Sequence, residues 1–395
     1  MTPAVLYLPQ PTSHLLAARI VAGRSLAVRA LVAAARAGAA AVGVPAALRS
    51  AELERALRRM PTVARIVRWL DRASPTEQAV FCGQPCVLLP ACALVEARQV
   101  RLLFQRQAGR AGVALDASTA SGAPVLLAPP ALVARLWGRL VAGLPVGGEV
   151  ARHVDQESPD LEVATGPFVG VRDEAGLLEA EAALYRNLGT EDDTGVDRLL
   201  HRRCSRRITR LLVRTPATPN QVSLASLAIG GLAIWAFWNA TPVTALIGVV
   251  LYAIASVVDH ADGEVARLTF QESHLGAHLD WTIDTVIHSM IMLAIGVTAG
   301  GGPGLALGAA GAVGVTLSAL GARHLPRETG VGESLGAALK GMGNRDFFYL
   351  MLLGFVLLRW TLPALLPVLV ALVALGSHAY WIACLIRIRR GPPAA

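Results

Sequence analysis

The stretch DHADGEVARLTFQESHLGAHLDWTID (Asp259–Asp284) decides how the chain is read. Asp259 and Asp262 stand three apart and Asp280 and Asp284 four apart, so each pair shares one helix face. After residue 200 the chain holds five aspartates, and four of them fall in this stretch. Ionisable side chains at the ends of apolar spans are costly and are functional by default. Two antiparallel helices joined by a short loop after Arg267 would bring all four carboxylates into one pocket.

Clustered carboxylates do not all stay ionised without compensating charge. Two divalent cations would supply it, and hard oxygen ligands favour Mg²⁺ or Mn²⁺. Such a site suits displacement at phosphorus, where cations stabilise the transferring group. Gly263 and Gly276 would let a nucleotide approach the backbone, and Arg267 is the natural phosphate partner. His260, His274, His278 and His288 surround the aspartates; packing or support of the ligands is the reading favoured for them. A transporter's ion pathway, or an inactive membrane scaffold, could carry buried acids too.

Working outward, the flanking sequence is apolar enough for six spans, at 221–239, 243–262, 276–299, 304–321, 346–361 and 363–386. Arg323, Arg327, Lys340 and Arg345 lie in or beside the 322–345 loop, and Arg387, Arg389 and Arg390 lie in the tail. The positive-inside rule places both, with the N-terminal half and the aspartates, on the cytoplasmic face of a multi-pass cell-membrane protein. Ahead of the first span, residues 191–214 interleave Arg202, Arg203, Arg206, Arg207, Arg210 and Arg214 with leucine and isoleucine. This pattern predicts a basic amphipathic helix lying in the membrane interface, arginines toward lipid phosphates.

The formal net charge is +8, and Lys340 is the only lysine. Without a nucleic-acid motif, that charge points to lipid headgroups and phosphate ligands. Cys82, Cys86, Cys92, Cys204 and Cys384 are too loosely spaced for a zinc site, and read as reduced thiols. The start of the chain has no basic-then-apolar leader. Arg19, Arg24, Arg29 and Arg36 rule out a span over 15–44, since each costs roughly 2.5–3.5 kcal/mol at a bilayer centre.

Residues 1–190 alternate strand and helix patterns. AVLYLP (4–9), Ala41–Val44, CVLLP (86–90) and PVLLAP (124–129) are apolar strands; residues 25–37 form a helix ending at Gly38, and 174–188 an acidic one. Strands alternating with helices imply a mostly parallel sheet covered on both faces, a Rossmann-like soluble α/β domain. The predicted organisation is therefore that domain, the interfacial helix, and an all-α six-helix transmembrane domain over 215–390.

The arrangement Asp259-x2-Asp262-Gly263-x2-Ala266-Arg267-x8-Gly276-x3-Asp280-x3-Asp284 resembles the signature of the CDP-alcohol phosphatidyltransferases, with all eight fixed positions matched. The resemblance covers roughly residues 195–390. It implies displacement of CMP from a CDP-linked lipid by an alcohol in phospholipid synthesis, with Asp259, Asp262 and Asp280 holding the metals. Asp284 would deprotonate the acceptor hydroxyl and is also a candidate metal ligand. Gly263, Ala266, Arg267, Ser273 and Gly276 would face the CDP portion, and the TPNQVS segment would set Pro219, Asn220 and Ser223 beside the CDP-lipid. Relatives in the family imply a homodimer formed through the spans.

A polar, phosphorylated acceptor needs cations, and Arg210, Arg323, Arg327, Lys340 and Arg345 are the candidates. The N-terminal half is similar to sugar-nucleotide-type nucleotidyltransferases in its element order and in GRSLAVRALVAAARAGAAAVGV (23–44). Relatives carrying such a domain suggest an inositol phosphate acceptor. Where those enzymes need a glycine-rich basic turn, this chain reads LPQPTSHLLAARIVAG (8–23). Where they need a metal-binding aspartate, it reads LLPACALVEA (88–97). The expectation is a domain that keeps the fold and has lost nucleotide transfer; a bifunctional cytidylyltransferase and phosphatidyltransferase is the alternative.

Overall fold

The computed structural model describes residues 2–105, 114–115, 123–157, 168–189, 193–324 and 345–390. The chain divides into two compact units, Met1–Asn187 and Leu188–Ala395.

The first unit is built on a six-stranded sheet. In chain order its strands are β1 (Ala4–Tyr7), β2 (Val42–Val44), β3 (Val67–Trp69), β4 (Cys86–Pro90), β5 (Ala114–Leu115) and β6 (Val125–Ala128). They are arranged β3-β2-β1-β4-β6-β5. β1 pairs parallel with β2 and β4, and β2 pairs parallel with β3. β6 runs antiparallel to both of its neighbours. The continuous apolar runs of β1 and β4 are buried along their whole length, as expected of central strands covered on both faces. The helix Leu26–Ala37 starts at an Ser25 cap and stops at Gly38, whose φ of +100° lets the chain turn out of the helix. β3 was not anticipated, because Arg65 and Arg68 break its apolar pattern.

Arg29 sits in this unit's core. Its guanidinium donates to Val21 O at 3.0 and 2.7 Å and to Ala22 O at 2.8 Å. Ala22 adopts φ +46°, so the arginine closes a tight turn that the backbone alone would hold poorly. Burial draws its pKa down to about 10, which still leaves it charged at neutral pH.

The second unit is helical. Its elements are α1 (Arg202–Leu212), preceded by one wide turn over Asp197–His201, then α2 (Pro219–Trp238), α3 (Pro242–Thr269), α4 (His274–Thr298), α5 (Gly301–His324), α6 (Arg345–Thr361) and α7 (Leu366–Arg390). Among the described residues five helices are long and apolar enough to cross a membrane: α2, α3, α4, α5 and the Pro363–Arg389 segment that contains α7. The remaining expected span, α6, has 17 residues and lies at the short limit of spanning lengths. The helices start with Thr218 and Thr241 capping boxes, each followed by proline at the first turn. α3 continues well beyond the predicted 262, through the whole first half of the motif, before Phe270 ends it.

α4 and α5 approach at glycines. A Cβ on Gly308 would lie 2.7 Å from the Gly296 Cα; likewise α2 approaches α4 at Gly230, where a Cβ would run into Ile287. Phe237, Tyr252, Ile291, Leu352 and Phe355 fill the centre of this unit.

Candidate active site

The two motif halves are presented by α3 and by the start of α4, with a short connection over 270–273. Carboxylate oxygens of Asp259, Asp262 and Asp280 all lie within 4.8 Å of one another. Asp259 and Asp262 are buried, and Asp280 is more open. Three hard oxygen donors at this separation fit one divalent cation. Asp284 joins them through Arg345, whose Nη2 donates to Asp259 Oδ2 at 2.7 Å and to Asp284 Oδ2 at 3.0 Å. The geometry thus brings all four aspartates together, but as a three-carboxylate group and a fourth carboxylate held by a guanidinium. Of the residues in the two ion pairs, Asp284 has the most accessible side chain, at 38% against 7% for Asp259.

The residues expected beside the CDP portion cluster at the same end. Ser223 donates its hydroxyl to Asp262 Oδ2. Ser273 caps α4 and accepts from Gly276 N at 2.9 Å. A Cβ on Gly276 would stand 3.1 Å from Ser273 Oγ and 3.5 Å from Asn220 Oδ1. A Cβ on Gly263 would stand 3.3 Å from Arg267 Nη1, so the glycine keeps room beside that cation. Arg267 donates to Leu188 O at 3.4 Å. Pro219 opens α2, and Ala266 O accepts the N–H of Gln271 at the close of α3.

The acceptor candidates separate. Arg345 is at the aspartates. Arg323 packs over the Trp281 ring at 4.8 Å and donates to His278 Nδ1 at 2.8 Å. Arg210 lies on the exposed face of α1. Arg327 and Lys340 lie outside the described residues.

Several site residues were not singled out from the sequence. Glu264, inside the motif but not one of its fixed positions, is fully buried. It accepts from Arg202 at 2.9 Å, Ser205 at 2.8 Å and Thr209 at 2.7 Å, so one face of α1 is locked onto α3. Arg202 also makes a two-point pair with Asp193. The signal was the i, i+3, i+7 spacing of Arg202, Ser205 and Thr209, a polar stripe opposite the other arginines.

Asp197 forms a second knot. Its Oδ1 accepts from His201 Nδ1 at 2.9 Å and from His260 Nε2 at 2.8 Å, and Thr194 donates twice to Oδ2. Tyr349 O–H donates to the other His201 nitrogen at 3.0 Å. Burial alone would raise the Asp197 carboxyl; the donors from His201, His260 and Thr194, with Arg345 nearby, outweigh it and hold the group well below the usual range. His288 donates to Asp284 O at 2.6 Å and receives Tyr252 O–H at 2.8 Å. His260 and His288 therefore support neighbours of the aspartates. Asp346, the fifth aspartate, accepts from Gly195 N and Val196 N and caps the turn leading into α1.

Residues 216–365 match the family model described as CDP-alcohol phosphatidyltransferase, a match that takes in α2 to α6 and all four aspartates. Three similar proteins are each named "Bifunctional IPC transferase and DIPP synthase". That of Thermococcus kodakarensis is 34% identical over 95 residues, covering 24% of this chain and 21% of its own. That of Rubrobacter xylanophilus is 32% identical over 159 residues, covering 40% and 34%. That of Archaeoglobus fulgidus is 29% identical over 103 residues, covering 26% and 20%. The chain thus spans only about a fifth to a third of the length of these relatives.

Proposed function

We propose that this protein is an integral-membrane transferase that displaces CMP from a CDP-linked lipid with an alcohol. The observation that supports it most is the convergence of Asp259, Asp262 and Asp280 on one point, with the more accessible Asp284 carboxylate beside them. In this reading Asp259, Asp262 and Asp280 would hold Mg²⁺ or Mn²⁺, with Asp284 a further carboxylate for a second ion. The cations supply charge stabilisation for the phosphoryl group in flight.

The chain's own residues do the rest. Ser223 fixes the rotamer of Asp262. Asn220, Gly263, Ala266, Arg267, Ser273 and Gly276 receive the CDP portion, with Arg267 on its phosphates and the two glycines leaving it room. Pro219 sets the direction of α2 beside the lipid. Asp284 Oδ takes the proton of the acceptor hydroxyl as its oxygen bonds to the lipid-side phosphorus and the bond to CMP breaks. Arg345 holds Asp284 in place, and with Arg323 offers positive charge to an anionic acceptor, as an inositol phosphate would be. Arg210, with Arg327 and Lys340 in the sequence between α5 and α6, would be further cations for such an acceptor. The exposed arginines of α1 rest on anionic lipid, the N-terminal unit, aspartates and tail face the cytoplasm, and two copies associate through their spans.

The sheet unit is read as having lost nucleotide transfer. In such sheets ligands bind at the carboxyl ends of the strands where the winding reverses, here between β1 and β4. The residues beyond those ends, Pro9, Gln10, Ala91 and Cys92, bring neither carboxylate nor cation. A Cβ on Gly147 would lie 2.4 Å from Pro9 O, so a helix start also crowds that place. The relatives' names keep the bifunctional alternative as the second reading.

The test is CMP release from CDP-diacylglycerol by the purified full chain, against a panel of alcohols. Chelation should abolish release, and Mg²⁺ or Mn²⁺ should restore it. Release that survives a chelator would remove the cation from the reading.

A further inference from the structure

Asp197 lies ahead of the matched segment 216–365 and outside the aspartate signature, yet it faces the site. The stretch that carries it is gripped by the first turns of α6. Asp346 accepts from Gly195 N at 3.0 Å and from Val196 N at 3.1 Å, and Tyr349 O–H donates to His201 Nε2 at 3.0 Å. Arg345 opens the same helix, and its guanidinium has carboxylates on two sides. Nη2 donates to Asp259 and Asp284, while Nη1 stands 4.0 Å from Asp197 Oδ1 and 2.9 Å from His260 Nε2.

That His260 nitrogen gives its hydrogen to Asp197 Oδ1, so it keeps no lone pair for Nη1. The attraction on this side of the guanidinium therefore comes from the Asp197 charge, which is little screened on a side chain only 5% exposed. Asp197, His201 and His260 also stand close enough together to hold a cation. Both ring nitrogens donate to the same carboxylate oxygen, however, and a guanidinium stands beside it, so the group serves as a hydrogen-bond knot.

A planar guanidinium is held in orientation when both of its ends have partners. Asp259 and Asp284 hold one end, and both are claimed by the chemistry as well. Asp197 has no such task and can hold the other end throughout. We propose that Asp197 is a positioning residue for the transfer reaction: it fixes Arg345 from the far side, and through Arg345 it sets where the Asp284 carboxylate stands. This rests on the reading that Arg345 holds Asp284 and that Asp284 takes the acceptor's proton.

The experiment follows CMP release from CDP-dioleoylglycerol by the full chain in detergent with Mg²⁺, using the alcohol of the panel that the wild type takes fastest. Asp197→Asn keeps the acceptor oxygen of the knot and removes its charge. It should lower kcat roughly ten- to a hundredfold, as loss of an outer partner does, and leave the donor's KM nearly unchanged. Tyr349→Phe strips one hydrogen bond from the same knot and keeps every charge; it should lose thermal stability and keep its kcat. In an Arg345→Gln background Asp197→Asn should cost little more, because the cation through which it acts is gone. If that background is too slow to follow, Arg345→Lys, whose single amino group cannot reach both sides, serves in its place. An equal loss with and without Arg345 would overturn the inference. So would a lowered unfolding midpoint in Asp197→Asn with kcat intact, or an equal fall of kcat in Tyr349→Phe. All three leave the transferase reading standing, whereas no release by the wild type with any alcohol would remove that reading and this inference with it.

Discussion

In the sheet unit the residues shielded from solvent are Val5, Leu88, Leu126 and their neighbours, and its buried polar side chains among the described residues are Ser13, Ser25, Arg29 and Gln99. In the helical unit Asp197, His201, Arg202, Asp259, Asp262 and Glu264 are buried, while Leu232, Trp235, Ile247, Leu350 and Leu372 are exposed. The first pattern belongs to a fold that meets water. The second belongs to one that meets hydrocarbon, where lipid takes the apolar surface and the polar groups gather inside. Among the described residues most of the buried charge lies in the helical unit, much of it paired around the motif.

Asp284→Asn should break the helical side of this contrast most severely. It removes the proposed base while keeping the shape, and CMP release should fall by about a hundredfold or more, as loss of general base catalysis does. Near-normal turnover would mean that another group takes the proton. Glu264→Ala comes next. It takes one carboxylate from Arg202 and the acceptor from Ser205 and Thr209, at a cost of about 3 kcal/mol for a broken buried pair. Thermal unfolding in detergent should show it, and Glu264→Gln should recover part of the loss. Equal midpoints for wild type and Glu264→Ala would show that α1 is not held through this residue.

On the sheet side, Arg29→Ala should cost about 1–3 kcal/mol, because the Val21 and Ala22 carbonyls lose their donors. Hydrogen exchange over residues 19–26 of the full chain should quicken, with little change in α3. The smallest effect expected is none: given CTP and myo-inositol 1-phosphate, the full chain should release no pyrophosphate. Its appearance would restore a second active centre to the sheet unit.

Much of this contrast could be read from the chain alone. Alternating apolar strands and an alanine-rich helix ending at Gly38 gave the sheet unit. Aspartates at helical spacing among uncharged spans pointed to the carboxylate group that α3 and α4 bring together. β3 and the antiparallel direction of β6 were not legible, because Val67–Trp69 is short and carries an arginine, and strand direction depends on partners distant in sequence. Glu264 and Asp197 were missed for a related reason. A buried acid is recognised by its donors, and those of Glu264 come from a helix about sixty residues earlier. The reach of Arg345 to Asp259 and Asp284 likewise joins positions that no local pattern connects. By length and apolar content α6 fell just short, and its arginines explain why it is held all the same.

Those arginines bear on how the protein is made. Arg345 opens α6 on the carboxylates of Asp259 and Asp284, and Arg359 near its other end donates to Ala240 O at 2.7 Å and Thr298 O at 3.3 Å. At 17 residues α6 measures about 25 Å, less than the roughly 30 Å of a hydrocarbon core. Alone it would enter lipid poorly. All four of these partners lie earlier in the chain, so when the ribosome releases α6 its anchor points have already been synthesised. Both ends of this helix are thus held by parts of the chain made before it, and those contacts supply what its length lacks.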